Sequence, residues 1–147
     1  MRNPFCARSG LATFASAALL IAATPAFADK VSYVADLRGA SEVPANDSKG
    51  TGSVDATYDS VTMKLTWTVT YTGLTGPATA AHFHGPAAVG ANAGPVVTLS
   101  GNLASPVKGE ATLTQAQAAE LAKHLWYLNV HTAVHASGEI RGQLMRK

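Results

Sequence analysis

A run of ten residues, Met63–Thr72, alternates strictly between apolar and polar side chains. Leu65, Trp67 and Val69 fall on one side of the run, and threonines occupy most of the other. Successive side chains of a β-strand point to opposite faces, so the pattern predicts a strand with one buried face and one solvated face. An isolated pair of strands is barely stable in water, so this strand requires further strands around it.

The remainder of the chain contains further strand-like stretches separated by turn residues. They cover residues 31–38, 52–58, 78–84, 96–99, 107–113, 126–132 and 139–145. Thr114 and Gln117 have the spacing of a capping box and predict one short helix. We therefore predict an all-β fold: an immunoglobulin-like, Greek-key β-sandwich of about seven or eight strands with one short helix. Residues 52–58 and 63–72 should form an antiparallel hairpin.

The N-terminus has the three regions of a secretory signal peptide. Arg2 and Arg8 precede an apolar run, and Ala26-Phe27-Ala28 has the small residues of a signal-peptide cleavage site. The apolar run is shorter than the roughly 20 residues that span a bilayer, which disfavours a membrane anchor. We predict a signal peptide at residues 1–28, a single domain at 29–147, and a periplasmic or secreted protein with no membrane span after cleavage.

Removal of residues 1–28 changes both the charge and the cysteine content. All nine acidic residues lie in the remaining domain and are balanced by its basic residues. A neutral domain lacks the basic patch of a nucleic-acid-binding protein, so we predict no nucleic-acid partner. The only cysteine, Cys6, lies in the predicted signal peptide. Any metal site in the domain must therefore use nitrogen and oxygen ligands.

Two histidines one residue apart are the main candidates for such a site. His82 and His84 share one face of their predicted strand, and Phe83 lies on the other. His131 shares this arrangement relative to Val130 in a later strand. If the apolar residues face the core, the three histidines point away from it and can meet where their strands are neighbours.

Glu139 lies opposite Ile140 in the last predicted strand, so it is expected on the same outer surface as His131. The two strands are joined by only about six residues and should pair. Three imidazoles suit a transition-metal ion, and copper binds most tightly among the common divalent ions. We predict a copper site at His82, His84 and His131, with zinc as the alternative metal. His135, Glu139, Met145 or water is the candidate for a fourth position. Structural histidines held by hydrogen bonds are the competing interpretation.

Four motifs resemble the CHRD domain, the repeat first described in chordin. They follow the family's order and spacing over nearly all of residues 29–147. They are Leu37-Arg38-Gly39-Ala40-Ser41-Glu42-Val43-Pro44, Ala81-His82-Phe83-His84-Gly85-Pro86 with Gly94-Pro95-Val96-Val97, Tyr127-Leu128-Asn129-Val130-His131-Thr132, and Gly138-Glu139-Ile140-Arg141-Gly142-Gln143-Leu144.

The resemblance implies an all-β, immunoglobulin-like sandwich and an exported, single-domain protein. It also implies histidine at positions 82, 84 and 131, but it says little about activity. We expect metal binding, storage or delivery rather than catalysis. The alternatives are a metal-free structural or protein-interaction module and a metal-dependent redox enzyme. The pair His82 and His84 is similar to that of copper–zinc superoxide dismutase, but the zinc-ligand cluster and disulfide of that family are missing.

Overall fold

The computed structural model describes residues 29–147, and the predicted signal peptide at 1–28 lies outside this range. One short helix and nine strands follow in chain order, with a 3-10 turn, Gly39–Ser41, after the first strand. The helix is α1 (Gln115–Ala122), and the strands are β1 (Lys30–Arg38), β2 (Thr51–Asp59), β3 (Lys64–Thr72), β4 (Ala78–His84), β5 (Pro95–Thr98), β6 (Val107–Thr112), β7 (Tyr127–Thr132), β8 (Ile140–Gln143) and β9 (Met145–Arg146).

All strand pairs are antiparallel and belong to one continuous sheet in the order β5-β4-β7-β8-β1-β2-β3-β6, with β9 beside β1. The predicted hairpin of β2 and β3 is confirmed, with its register running from Thr51 opposite Thr72 to Asp59 opposite Lys64. Met63 lies in the hairpin turn with φ +57°, so the alternating run enters the strand one residue later than predicted.

The sheet curls until it is nearly closed. Its two end strands, β5 and β6, line a common cavity of about 130 Å³ together with Trp67. The all-β prediction with one short helix is confirmed, and the sheet has a barrel-like form. The immunoglobulin-like, Greek-key arrangement stays a prediction.

The core lies inside the curled sheet, where the apolar faces of the strands meet. Phe83, Val130 and Ile140 are fully buried there, as the alternation predicts. Trp67 contacts Phe83 edge to face, with ring centroids 5.2 Å apart. Aromatic pairs in this geometry are stabilised beyond their buried area. Because Phe83, Val130 and Ile140 point into the core, the opposite faces of β4, β7 and β8 point outward.

The helix α1 begins with the predicted capping box. The Thr114 hydroxyl accepts a hydrogen bond from the Gln117 backbone N–H, and the Gln117 side chain accepts one from the Thr114 N–H. Leu121 packs into the core and is fully buried. Within residues 29–147, no helix is long and apolar enough to cross a membrane.

Candidate metal centre

The strands that carry the predicted site are neighbours. Strand β4 pairs with β7, and β7 pairs with β8. His82 lies opposite Asn129, and Asn129 lies opposite Arg141. Residues opposite one another in antiparallel strands share a face of the sheet. The outer face of β4, β7 and β8 therefore carries one continuous set of polar side chains, as the sequence predicts.

His82, His84 and His131 form one compact cluster on this outer face. Each offers one ring nitrogen, and the three nitrogens lie within 4.8 Å of one another. The ring centroid of His82 lies 5.4 Å from that of His84 and 5.1 Å from that of His131. Among the described residues, no other histidine and no carboxylate belongs to the group. The predicted convergence of the three histidines is confirmed.

Backbone carbonyls fix two of the three rings. His84 Nδ1 lies 2.9 Å from the Ala93 carbonyl oxygen, and His131 Nδ1 lies 3.0 Å from that of Ala136. A carbonyl only accepts, so in each ring Nδ1 carries the proton and donates it. This tautomer leaves a lone pair on Nε2. The Nε2 of His84 is buried and has no hydrogen-bond partner. Metal-bound histidines show the same arrangement, with one nitrogen on the metal and the other on a carbonyl.

The separation of two ring nitrogens matches that of two ligands on one metal ion. His82 Nδ1 lies 3.1 Å from His131 Nε2. Zinc–nitrogen bonds of roughly 2.0–2.1 Å at a tetrahedral angle place two ligand atoms about 3.3 Å apart. His82 would thus bind through Nδ1, whereas His84 and His131 would bind through Nε2. The same 3.1 Å is also a hydrogen-bond distance when His82 Nδ1 carries the proton.

The electrostatics of the cluster favour neutral imidazoles. Burial lowers the pKa of His82 below its usual value, and the neighbouring His131 and His84 lower it further. Burial also lowers the pKa of His131; the hydrogen bond to Ala136 partly opposes this, and His84 adds to the lowering. Because a metal ion binds the unprotonated ring, the lowered pKa values keep His82 and His131 in the metal-binding form at neutral pH.

A three-layer stack supports His84 from the side. Its ring lies parallel to that of Tyr127, with centroids 4.8 Å apart and an angle of 6°. The guanidinium carbon of Arg141 lies 3.4 Å from the Tyr127 centroid. Strand β7, which carries Tyr127, lies between β4 with His84 and β8 with Arg141. Aromatic stacking and a cation–π contact together restrict the rotation of His84.

The loop 85–94 covers this stack. Arg141 donates to Asn92 Oδ1 at 2.8 Å and to the Ala91 carbonyl at 2.6 Å. The Tyr127 hydroxyl lies 3.2 Å from both the carbonyl and the N–H of Ala93. Under this cover Arg141 is only 2% exposed and His84 only 9%. The alternation predicts that these residues point away from the core, and in the structure the loop rather than water covers this part of the outer face.

Glu139 occupies a different position from the predicted one. It is fully buried rather than exposed on the outer surface. Its carboxylate accepts four hydrogen bonds: from Ser48 Oγ at 2.7 Å, Thr75 N at 2.8 Å, Thr75 Oγ1 at 2.7 Å and Thr132 Oγ1 at 2.5 Å. Burial alone raises the pKa of this carboxyl, but the hydrogen bonds from Thr132, Ser48 and Thr75 lower it to about 2. Glu139 holds three chain segments together and does not join the histidine cluster.

The other candidates for a fourth ligand also lie outside the cluster. His135 is partly buried in the connection from β7 to β8, where its backbone binds Thr132 and Gly138. The side chain of Met145 is 45% exposed in β9, which pairs with β1. The structure therefore brings together three of the predicted site residues, and leaves His135 and Glu139 outside the group.

Glu42 is a buried acid that the strand pattern could not reveal. It is only 8% exposed, and one carboxyl oxygen, Oε1, has no hydrogen-bond partner. Burial raises the pKa of Glu42 to about 7, and Arg141 and the Asn129 side chain partly oppose the increase. In the sequence, Glu42-Val43-Pro44 ends the first of the four CHRD-like motifs, but a motif does not show whether a residue is buried.

The fold and the cluster together define a small, nearly closed β-sheet domain with a three-histidine group on its outer face. The family model for the CHRD domain matches residues 33–144. This range is most of the chain and includes all three clustered histidines, so the chain belongs to the CHRD family. No curated protein and no solved structure matches the chain.

Proposed function

We propose that this CHRD-domain protein is exported and binds one transition-metal ion through His82, His84 and His131. The proposed metal is copper, with zinc as the alternative. The proposed role is binding, storage or delivery of the ion in the periplasm or outside the cell. Export is supported by the pattern of residues 1–28, and an imidazole-only site suits both metals.

The buried Nε2 of His84 is the observation that supports metal binding most directly. A buried polar atom without a partner is costly, and native structures keep few of them. Here the Ala93 carbonyl fixes the proton on the opposite nitrogen, so the Nε2 lone pair needs a donor or a metal ion. A metal ion shared with His131 Nε2 and His82 Nδ1 satisfies all three nitrogens together.

Titration of the metal-free protein with Cu(II), Cu(I) and Zn(II) tests this function. We expect one ion per chain in the wild type. His84→Ala and His131→Ala should each weaken binding by about 100-fold. Loss of a residue that only supports a metal ligand already lowers metal affinity roughly 10–100-fold, and these two residues are the proposed ligands themselves. Isothermal titration calorimetry and metal analysis after dialysis provide the measurements.

Two other histidines provide matched controls. His135→Ala removes a histidine of the neighbouring connection that lies outside the cluster. His124→Asn removes a histidine at φ +58°, a conformation that asparagine tolerates. Both variants should keep wild-type stoichiometry and affinity. Unchanged binding in His84→Ala and His131→Ala would contradict the proposed site.

A metal-free structural or protein-interaction module is the second candidate function. The observation that favours it is the 3.1 Å separation of His82 Nδ1 and His131 Nε2, which is also that of a hydrogen bond across β4 and β7. In that case His84→Ala lowers thermal stability equally with and without a chelator. In a metal site, added metal stabilises only the wild type, by mass action on the folded state.

A further inference from the structure

The protein supplies three ligands to the proposed metal ion, and no further histidine or carboxylate joins them among the described residues. Both carboxylate oxygens of Glu139 are engaged by four hydrogen-bond donors. His135 lies outside the group. Copper(II) and zinc take at least four ligands in most protein sites, and three protein ligands leave one position for a ligand from outside the chain.

The ligand set carries no negative charge. Three neutral imidazoles leave the full charge of a divalent ion uncompensated, and no carboxylate lies in the group. The charged side chain that contacts the supporting stack at Tyr127 is the cation Arg141, which is 2% exposed. A partly buried cation without a counter-charge is unfavourable. An anion at the free position supplies that counter-charge.

The cluster is open on the side of His82. His84 is covered by the loop 85–94, whereas His82 is partly exposed. The residue opposite His82 on the neighbouring strand β5 is Thr98, which is exposed and shares the outer face. Strand β5 forms hydrogen-bonded pairs with β4 alone, and β6 faces it across a cavity. Small ligands can therefore approach the cluster from solvent along this edge.

From these three observations we infer that the site binds a small monovalent anion, exchangeable with solvent, as an additional ligand of the metal ion. The inference rests on the proposed function and adds the ligand class that the site accepts. Exchange of the anion gives the metal ion a route by which another donor can replace it, which suits delivery.

Titration of the Cu(II)-loaded protein with sodium azide tests the inference. Azide bound to Cu(II) produces a new charge-transfer absorption band and changes the electron paramagnetic resonance spectrum. We expect a saturable band at one azide per copper, with the copper retained after buffer exchange. The variant carrying His82→Ala, His84→Ala and His131→Ala is mixed with equal copper and azide to give the background spectrum.

The possible outcomes separate the inference from the function on which it rests. Copper retained in the wild type with both spectra unchanged by azide would overturn the inference and leave metal binding intact. The same holds when azide removes the copper from the protein. Failure of the wild type to retain copper before azide is added overturns both. A band of equal size in the triple variant also overturns the inference, because the azide complex then lies elsewhere.

Discussion

Glu139→Gln should lower the free energy of unfolding by about 3–5 kcal/mol, which is the largest effect that we expect from a single substitution. The carboxylate accepts four hydrogen bonds in a fully buried position. A glutamine keeps the shape but has only one acceptor oxygen, so two of the four donors lose the acceptor that they have in the wild type. Urea denaturation at neutral pH measures the loss.

A second variant separates this effect from a general effect of removing a carboxylate. Glu110 forms a salt bridge with Lys64 at 2.9 Å, and its side chain is 60% exposed. Exposed pairs of this kind contribute roughly 0–1 kcal/mol, so Glu110→Gln should be nearly neutral. A loss below about 1 kcal/mol in Glu139→Gln would show that the four hydrogen bonds contribute little.

The pH dependence of Glu139 has a defined direction. Its pKa is about 2 in the folded protein, compared with 4.5 for a glutamate without these interactions. A carboxyl with a lowered pKa stabilises the folded state above its unfolded value, and this stabilisation is lost as the pH falls from about 4.5 towards 2. The acid-induced unfolding of the wild type should therefore be steeper in this range than that of Glu139→Gln.

Glu42 should make stability depend on pH in the opposite direction from Glu139, so Glu42→Gln should increase stability in alkaline solution. The pKa of Glu42 is raised from 4.5 to about 7, so the folded state holds a proton that the unfolded state releases. The contribution of the protonated Glu42 carboxyl to stability is complete below about pH 4.5 and is lost as the pH rises through 7. The difference corresponds to at most about 3 kcal/mol. Glutamine cannot ionise, so the variant should exceed the wild type at pH 8 and equal it near pH 4.5.

Denaturation curves at several pH values between about 4.5 and 8 measure this effect, again with Glu110→Gln as the control. The Glu42 carboxyl lies against the backbone of Gly138, which leaves little room around it. A Cβ atom built there would lie 2.6 Å from Glu42 Oε1 and 2.7 Å from the Asn129 amide nitrogen. Parallel curves for Glu42→Gln and the wild type would contradict the raised pKa.

Local sequence patterns predict the strands and the helix start because each depends on adjacent residues. The alternation around Trp67 and the capping box at Thr114 are both confirmed by the structure. The short connection before Ile140 predicts the pairing of β7 with β8, which the structure also contains. The convergence of the three histidines follows once β4 is placed beside β7, a placement that the sequence suggested without proving.

The coverage of the outer face could not be predicted from strand periodicity. Whether Arg141 meets water or the loop 85–94 depends on contacts between residues 49 and 50 positions apart. Glu139 was assigned to the surface because Ile140 faces inward, yet both are buried. The partners of the Glu139 carboxylate lie up to 91 positions away, at Ser48. No pattern of neighbouring residues contains this information.

The position of the histidines on two strands has a mechanical consequence for the domain. Residues 29–147 contain no cysteine and hence no disulfide. His82 and His131 are 49 positions apart and face each other across β4 and β7. In the proposed metal-bound state, an ion held by both would act as a reversible crosslink that closes this long segment. In the chain-entropy description of a disulfide, a loop of that size is worth roughly 4 kcal/mol. Metal supply and resistance to unfolding would then rise together.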